Sequence, residues 1–320
     1  MCGRYASARK RQDLLEEFRV ERDLVTDDLE PDYNVAPTKP VYAVLTRAER
    51  SASPDPATPP KSAAPPAVGG ARAPVGVARE LRVVRWGLVP SWAKDPAIGS
   101  RLINARVETV DAKPSFRSAF AKRRCLLPAD GFYEWLSVEQ QGSAGSDPAT
   151  PPKARKQPYY IHRADGGELA FAGLYELWRD RSAPDDHPQA WLWTAVIITT
   201  SAEDEVGRIH DRMPMIIDPA GWDDWLDPAN NEAAGVRALL APASASRLAS
   251  YQVGTDVNYV RNNGPGLIKP LAPAAAGDGH ADGGGPGESG PRSGPMAGQG
   301  RPARTRDRYR RPDSAPLSLF

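Results

Sequence analysis

The spacing of apolar residues along the chain predicts short helices and longer strands. Leu14, Leu15 and Phe18 recur at helical spacing, which predicts a helix over Gln12–Phe18 with one buried face. Three further runs are rich in aromatic and β-branched residues and therefore predict strands. These runs are Tyr159–His162, Leu169–Trp178 and Trp191–Thr200.

Capping and turn residues indicate two more short helices. Ser201-Ala-Glu-Asp204 resembles a capping box that opens a helix directly after a strand. Pro219–Leu226 predicts another helix, with its proline near the first turn. The elements do not follow the strand–helix–strand rhythm of a parallel sheet. We therefore predict an α+β fold, a single domain over residues 1–271 that is built mainly on antiparallel β-sheets.

Three segments interrupt this pattern. Residues 51–79 and 140–156 are rich in Pro, Ala and Gly, and the heptapeptide DPATPPK occurs in both, at 55–61 and at 147–153. Such composition cannot bury enough apolar area to order itself, so we predict two flexible insertions in the domain. Residues 272–320 are Gly- and Pro-rich, which predicts a disordered C-terminal tail.

Composition and charge exclude several classes of protein. The chain has 320 residues with 41 basic and 40 acidic side chains, so a nucleic-acid surface must be a local patch. Two cysteines cannot make a disulfide framework, and their spacing shows no metal site, so no metal or other cofactor is expected. The N-terminus lacks a signal peptide, and the apolar run Trp191–Ile198 is too short to cross a bilayer. We expect a cytoplasmic protein, a monomer without membrane contacts.

The tail carries the strongest local charge. Residues 301–311 contain six arginines and one aspartate. A solvated basic tail is one interpretation, and non-specific attraction to DNA phosphates is the other. The tail is also a candidate contact for replication-fork proteins.

Cys2 is the first candidate for chemistry. Chain ends are usually frayed and exposed, which is a poor setting for a structural thiol. Aminopeptidases remove a methionine that precedes a small residue such as Cys, and Cys2 would then carry a free α-amine with a pKa of about 7.7–8.0. That amine can attack an aldehyde to give an imine, and the thiol can close the imine into a five-membered thiazolidine. An ordinary second residue without chemistry is the alternative.

Glu134 and His210 are the candidate acid–base residues. A strand over Ala129–Trp135 would turn Glu134 to the same face as apolar neighbours, which raises a carboxyl pKa and suits general acid–base catalysis. His210 follows a predicted short helix and could donate a proton near pH 7. An exposed edge-strand glutamate and a surface histidine are the alternatives.

Aromatic and basic residues mark two further stretches. Arg85–Trp92 places two tryptophans around Gly and Pro, and Ile103–Arg106 supplies an amide and a guanidinium. Aromatic side chains beside arginines are typical of a groove for single-stranded nucleic acid. Tryptophans buried in a core are the alternative.

Taken together, eight motifs resemble one family in content and order. This family is SRAP, the SOS response-associated peptidase-like proteins, also called abasic-site processing proteins, and the resemblance runs from Met1 to about Leu271. The motifs are MCGRY (1–5), YNVAPT (33–38), RWGLVPSWAKD (85–95), INARVET (103–109), CLLPADGFYEW (125–135), AGLYELW (172–178), IITTSA (197–202) and IHDRMP (209–214).

The resemblance implies a function and a set of site residues. It implies an enzyme that binds single-stranded DNA and joins Cys2, through a thiazolidine, to the ring-opened sugar of an abasic site, protecting the lesion in the DNA damage response. Asn104 would hold the sugar and the amine, Glu134 would open the sugar ring, and His210 would protonate or position its oxygen. The DNA phosphates would contact three arginines, which are Arg4, Arg106 and Arg212. The bases that flank the lesion would pack against Trp86 and the Val35–Pro37 turn.

Two other functions stay open from the sequence. An N-terminal cysteine can act as a peptidase nucleophile with its own amine as the base, and it could remove Met1 by itself. A non-catalytic reader of single-stranded or modified DNA would bind reversibly and with strong salt dependence. If the protein is the abasic-site processing enzyme that the resemblance implies, we expect it to be cytoplasmic and to be associated with the nucleoid while bound to DNA.

Overall fold

Strands dominate the structure, a computed structural model that describes residues 2–48, 77–138, 155–184, 190–240 and 247–272. The described chain lies within one compact unit, Met1–Ala272. The strands, in chain order, are β1 (Tyr5–Ser7), β2 (Arg22–Asp23), β3 (Asp32–Val35), β4 (Pro40–Ala48), β5 (Val77–Trp86), β6 (Asn104–Arg106), β7 (Arg124–Ala129), β8 (Gly131–Val138), β9 (Arg155–Arg163), β10 (Leu169–Arg179), β11 (Trp191–Ser201), β12 (Arg212–Pro214) and β13 (Leu248–Gln252). The helices are α1 (Arg11–Glu17), α2 (Arg117–Lys122), α3 (Asp204–Ile209), α4 (Trp222–Leu226) and α5 (Ala233–Ala238).

The larger of two sheets closes on itself. Its strands pair in the order β12-β11-β10-β7-β4-β5-β2, and β5 also pairs in parallel with β11. The closing register sets Arg85 against Thr194 and Trp86 against Ala195. Five strands, β11, β10, β7, β4 and β5, therefore form a closed ring, while β6 lies outside it on β11.

The two faces of the ring pack differently. One face carries residues such as Val44, Leu126 and Val196, which form a core cluster with side chains of α1, α2, α4 and α5. Because helices about 10 Å wide cannot fit within five strands, this is the outer face. The opposite residues, including Ala43 and Ile197, form a second cluster with Cys2, Tyr5 and Phe132.

The smaller sheet carries the beginning of the chain. Its five strands pair in the order β13-β9-β8-β1-β3, so that β1 is bonded along both edges. Tyr5 lies opposite Phe132 of β8 on one side and opposite Val35 of β3 on the other. Cys2, which precedes β1 by three residues, is thereby held in the interior.

The structure confirms the mainly antiparallel α+β fold and the elements that periodicity predicts. The helix over Gln12–Phe18 is α1, in which Leu14 is buried, and the three predicted strands lie within β9, β10 and β11. The capping box is wrong: Ser201 stays in β11, where it pairs with Arg212, and α3 begins after Glu203 without a side-chain cap.

The predicted insertions are shorter than their composition suggests. Residues 77–79 belong to β5 and residues 155–156 to β9, because strand pairing with β4 and β8 outweighs their linker-like neighbours. The rest of both insertions, 51–76 and 140–154, lies outside the described residues, as do Met1 and the tail from 273 onwards.

A buried carboxyl lies at the start of β10. The Glu168 side chain is 1% exposed, and its nearest charged partner is the Arg9 guanidinium, with Nε 3.7 Å from Oε2. Within the described residues neither carboxyl oxygen accepts a hydrogen bond. Burial, with Asp130 adding to it, raises the pKa of Glu168 to about 8 despite Arg9.

Glu168 should make stability fall as pH rises. Between about pH 4.5 and 8 the unfolded chain loses this proton while the folded chain keeps it, at about 1.4 kcal/mol per pH unit. Glu168→Gln should therefore raise the free energy of unfolding relative to the wild type more at pH 8 than at pH 5. Urea denaturation at both values measures this, with the exposed Glu30→Gln as control. Equal differences at the two pH values would show that Glu168 is ionised in the fold.

Candidate functional site

Cys2 is fully buried, contrary to the exposure expected of a chain end. It lies two residues before Arg4 and packs in the inner cluster with Tyr5 and Trp86. Its carbonyl accepts a hydrogen bond of 2.8 Å from Nδ2 of Asn104, and its thiol faces the Arg4 carbonyl at 3.9 Å. The terminus is held here because β1 is paired on both edges.

Asn104 is positioned near Cys2 by β6, which pairs in parallel with β11 next to the β5 pairing. It begins β6 and lies opposite Ile197 of β11. The preceding turn comes close to Gly87, whose φ is 121°, and a Cβ there would lie 2.5 Å from the Gly99 carbonyl oxygen. Oδ1 of Asn104 is buried and has no hydrogen-bond partner among the described residues, so the site contains an open acceptor.

Glu134 lies on the face of β8 that the alternation of side chains along the strand predicts. Phe132 and Leu136 on its face pack in the inner cluster, whereas Tyr133 and Trp135 pack in a separate one. Glu134 is 2% exposed. Burial raises its pKa to about 7, and the positive charges of the terminal amine and Lys156 keep the rise from being larger. The predicted pKa shift towards neutrality is confirmed.

The Cys2 thiol is kept neutral by its surroundings. Burial raises its pKa well above the usual value, and the negative charge of Glu134 raises it further. A thiol in this position does not ionise by itself at neutral pH. Any bond that its sulfur forms therefore requires a neighbouring base.

His210 follows α3 and adjoins the same carboxyl. Its Nδ1 lies 3.0 Å from the Arg212 backbone nitrogen and 2.8 Å from an Asp211 carboxylate oxygen. The two partners require opposite protonation of Nδ1. Burial and then the terminal amine lower the pKa of His210, which favours the neutral ring. In that form Nδ1 accepts from Arg212, and the ring proton lies on Nε2.

One cavity lies beside Glu134 and His210. It has a volume of about 380 Å³ and is lined by Glu134, Trp135, Lys156, His210 and Asn258. Sequence reasoning missed Lys156, because it assigned the residue to a flexible insertion, and it missed Asn258, because no motif was noted there. The fixed indole of Trp135 donates from Nε1 to Oδ1 of Asn258 at 2.7 Å.

A network of hydrogen bonds holds the backbone around Asn258 in place. Asn34, which is fully buried, donates from Nδ2 to the carbonyls of Tyr259 and Asn262, each at 3.0 Å. Its Oδ1 accepts from Arg4 at 2.7 Å, and Arg4 also donates to the Val257 carbonyl at 2.8 Å. The motif YNVAPT thus ties the segment after β13 to β1.

The predicted DNA-contacting arginines differ in availability. Arg212 is 11% exposed on its side chain and donates to both carboxylate oxygens of Glu108 and to the Thr199 carbonyl. Arg4 is committed to Asn34. Arg106 is exposed. The phosphate contacts of all three stay predictions, and two of the three already serve internal acceptors.

Trp86 is not a surface residue, and its predicted packing against DNA bases is wrong. It is 0% exposed, stacks edge-on with Tyr5, and donates from Nε1 to the Ile103 carbonyl at 3.0 Å. Trp92 of the same motif is 58% exposed. Pro37 is half-buried in the turn before β4, so its predicted base contact stays a prediction.

The described residues contain no group of His, Cys, Asp and Glu side chains that could hold a metal ion. None of the helices within those ranges has the length and apolar character needed to span a membrane.

The structure combines a closed ring of strands with a second sheet that buries the chain start beside a carboxyl, an amide and an imidazole. This defines the class: an α+β protein whose candidate reactive groups surround its own N-terminus. The chain belongs to the SRAP family. Residues 1–260 match the sequence model of the family described as SOS response associated peptidase (SRAP).

Relatives agree with this membership, and a solved structure shares the fold. The chain is 35% identical over 269 residues to the abasic site processing protein YoqW of Bacillus subtilis, covering 84% of this chain and 99% of YoqW. It is 29% identical over 279 residues to the abasic site processing protein YedK of Escherichia coli, covering 85% and 100%. A crystal structure of a Bacteroides thetaiotaomicron protein shares the fold, with a TM-score of 0.60, 23% identity, and coverage of 85% and 100%.

Loss of the Asn104 amide should release the chain start. Asn104→Leu removes the bond to the Cys2 carbonyl and leaves that buried oxygen unpaired, at a cost of about 1–3 kcal/mol. In a Cys125→Ala background, Cys2 should react faster with a thiol reagent in the Asn104→Leu variant than in the parent. Ellman titration of the native protein measures the rate. An unchanged rate in a less stable variant would mean that β1 pairing alone protects the thiol.

Proposed function

We propose that this protein processes abasic sites in single-stranded DNA by joining Cys2 covalently to the ring-opened sugar. One observation carries the proposal: Cys2 is buried against Asn104 and Glu134, and Glu134 has a pKa of about 7. The names of YoqW and YedK, abasic site processing proteins, support the choice of substrate. Removal of Met1 exposes the α-amine of Cys2 for this chemistry.

The first step opens the sugar. An abasic sugar exchanges between a closed hemiacetal and an open aldehyde, and exchange requires a proton to leave the hydroxyl and another to reach the ring oxygen. A carboxyl with a pKa of about 7 can do both near neutrality. Neutral His210, with its proton on Nε2, positions the sugar oxygen by a hydrogen bond rather than acting as a full acid.

The second step forms two bonds to the aldehyde carbon. The Cys2 amine adds to the carbonyl and water leaves, which gives an imine. The thiol then adds to the imine carbon, its proton passing to the Glu134 carboxylate, because the raised thiol pKa excludes a preformed thiolate. Glu134 then returns this proton to the imine nitrogen, which becomes the ring amine. The thiazolidine removes the aldehyde and so protects the strand from β-elimination.

DNA binding in this proposal depends on exposed basic and aromatic side chains. Arg106 offers a guanidinium to the backbone, and Trp92 offers an indole on which a base can stack. In this proposal the protein acts as a cytoplasmic monomer without a cofactor, and its DNA complex lies at the nucleoid.

Cys2 should be required for a bond that survives denaturation. Purified protein mixed with single-stranded DNA that contains one abasic site should give a heat-stable adduct, whose intact mass shows loss of Met1 and of one water. Cys2→Ala should give none. Cys2→Ser can form an imine and should give a weaker, less durable product.

The same gel assay distinguishes covalent cross-linking from reversible DNA binding. An undamaged oligonucleotide of equal sequence is the control. A Cys2→Ala variant that still forms the heat-stable adduct would overturn the assignment. A complex that dissociates on heating, weakens as the salt concentration rises and still forms with Cys2→Ala would identify a protein that binds DNA reversibly.

The cross-linking rate should follow the ionisation of Glu134. Since its carboxylate takes the thiol proton, the single-turnover rate should rise with pH through an inflection near 7. Glu134→Gln should slow the reaction by about a hundredfold or more and remove that inflection. Asp130→Asn, four residues earlier at the junction of β7 and β8, is the control. An inflection near 7 that persists in Glu134→Gln would assign it to another group.

A second candidate function is self-removal of Met1. The charge of the chain's terminal amine contributes to the pKa shifts of Cys2, Glu134 and His210 alike, and these three residues are the nucleophile and the acid–base groups that cleavage after Met1 would use. Mass analysis of the protein made in an aminopeptidase-free translation system tests this. Loss of Met1 there, and its retention in Cys2→Ala, would support self-processing.

A further inference from the structure

Lys156 lines the cavity beside Glu134 and His210. It lies on β9 opposite Ser137 of β8, three residues beyond Glu134, and its side chain is exposed. No ion pair or hydrogen bond of its ammonium group occurs within the described part of the chain. The positive charge of Lys156 acts on both Glu134 and His210, which places the ammonium near the two groups.

Asn258 supplies a second donor on the same wall. The indole N–H of Trp135 is a donor only, so the Asn258 atom that it meets at 2.7 Å is the amide oxygen. This bond fixes the orientation of the amide and leaves its NH₂ group as a donor at the cavity surface. Asn34 and Arg4 hold the backbone around Asn258, which makes the donor preorganised.

These two donors contrast with the arginines near the cavity. Arg4 and Arg212 would have to leave Asn34 and Glu108 in order to bind an external anion. Lys156 and Asn258 need no such exchange. An ammonium beside an oriented amide NH₂ matches the oxygens of a phosphodiester, to which charge-assisted hydrogen bonds are strong. A cavity of about 380 Å³ is large enough for a sugar with one attached phosphate.

We propose that Lys156 and the Asn258 amide form a phosphodiester-binding subsite, which holds the phosphate next to the abasic sugar and turns the open aldehyde towards Glu134. This inference rests on the proposed function. Lys156 and Asn258 act as positioning residues, because they contact the backbone of the DNA and not the reacting carbon.

The first measurement is binding without chemistry. A single-stranded oligonucleotide with a tetrahydrofuran abasic analogue has no aldehyde and cannot cross-link. Lys156→Ala should weaken its binding about tenfold, and the slope of log K against log salt should fall by about 0.7. Lys156→Arg should restore most of the affinity. Lys122→Ala removes an exposed lysine on α2, against the outer face of the ring, and should bind as the wild type does.

The second measurement separates positioning from electrostatic tuning of Glu134. With abasic DNA, Lys156→Ala should raise the half-saturating DNA concentration about tenfold while the maximal cross-linking rate changes by less than about twofold. The inflection near pH 7 should move only slightly upward, because Lys156 lowers the pKa of Glu134 less than the terminal amine does. With free 2-deoxyribose, which has no phosphate, Lys156→Ala and wild type should form the adduct equally fast. Asn258→Asp keeps the acceptor for Trp135 but repels phosphate, and should lose more affinity than Lys156→Ala.

A methylphosphonate placed at one linkage beside the abasic residue identifies the phosphate. At the contacted linkage, its effect and that of Lys156→Ala should not add. The subsite is refuted if Lys156→Ala binds the tetrahydrofuran oligonucleotide within twofold of wild type. It is also refuted if the variant slows the adduct with free deoxyribose as much as with DNA. Absence of any adduct in the wild type refutes the proposed function, while the tetrahydrofuran binding still decides the subsite.

Discussion

Pairing of β1 on both edges determines where the chemistry of this protein can lie. A chain start is ordinarily the least ordered part of a domain, but here three residues, Tyr5–Ser7, are bonded to β8 and to β3. Cys2 therefore has a fixed position, with its carbonyl bonded to Asn104. A terminal nucleophile that moved freely would have to be ordered each time it reacted, and this fold orders it once, on folding.

Burial sets the protonation of the groups around that terminus. It raises the pKa of both the Cys2 thiol and the Glu134 carboxyl and lowers that of His210, so all three favour their neutral forms. Glu134 alone reaches a value of about 7, where it can give and accept protons with similar ease. The apolar cluster inside the strand ring is thus the cause of the carboxyl's acid–base character.

The sequence predicted those features of the structure that depend on the periodicity of a single strand or helix. The alternation along β8 placed Glu134 correctly, and the spacing of Leu14 and Phe18 gave α1, since both periodicities are properties of single elements. Closure of the ring by β5 and β11 joins residues more than a hundred positions apart and left no such signal. Trp86 was misassigned for the same reason, because the residues that cover it, such as Tyr5, come from distant segments.

The hydrogen bond between Arg4 and the Val257 carbonyl spans 253 positions of sequence. Asn258, one wall of the cavity, is held by that connection, so synthesis of the chain completes the cavity only near the end of the compact unit. A nascent chain on the ribosome already carries the thiol of Cys2 and the carboxyl of Glu134, yet it lacks the enclosure that joins them. The enclosure around these two groups is therefore complete only after translation has passed the last of these anchoring residues.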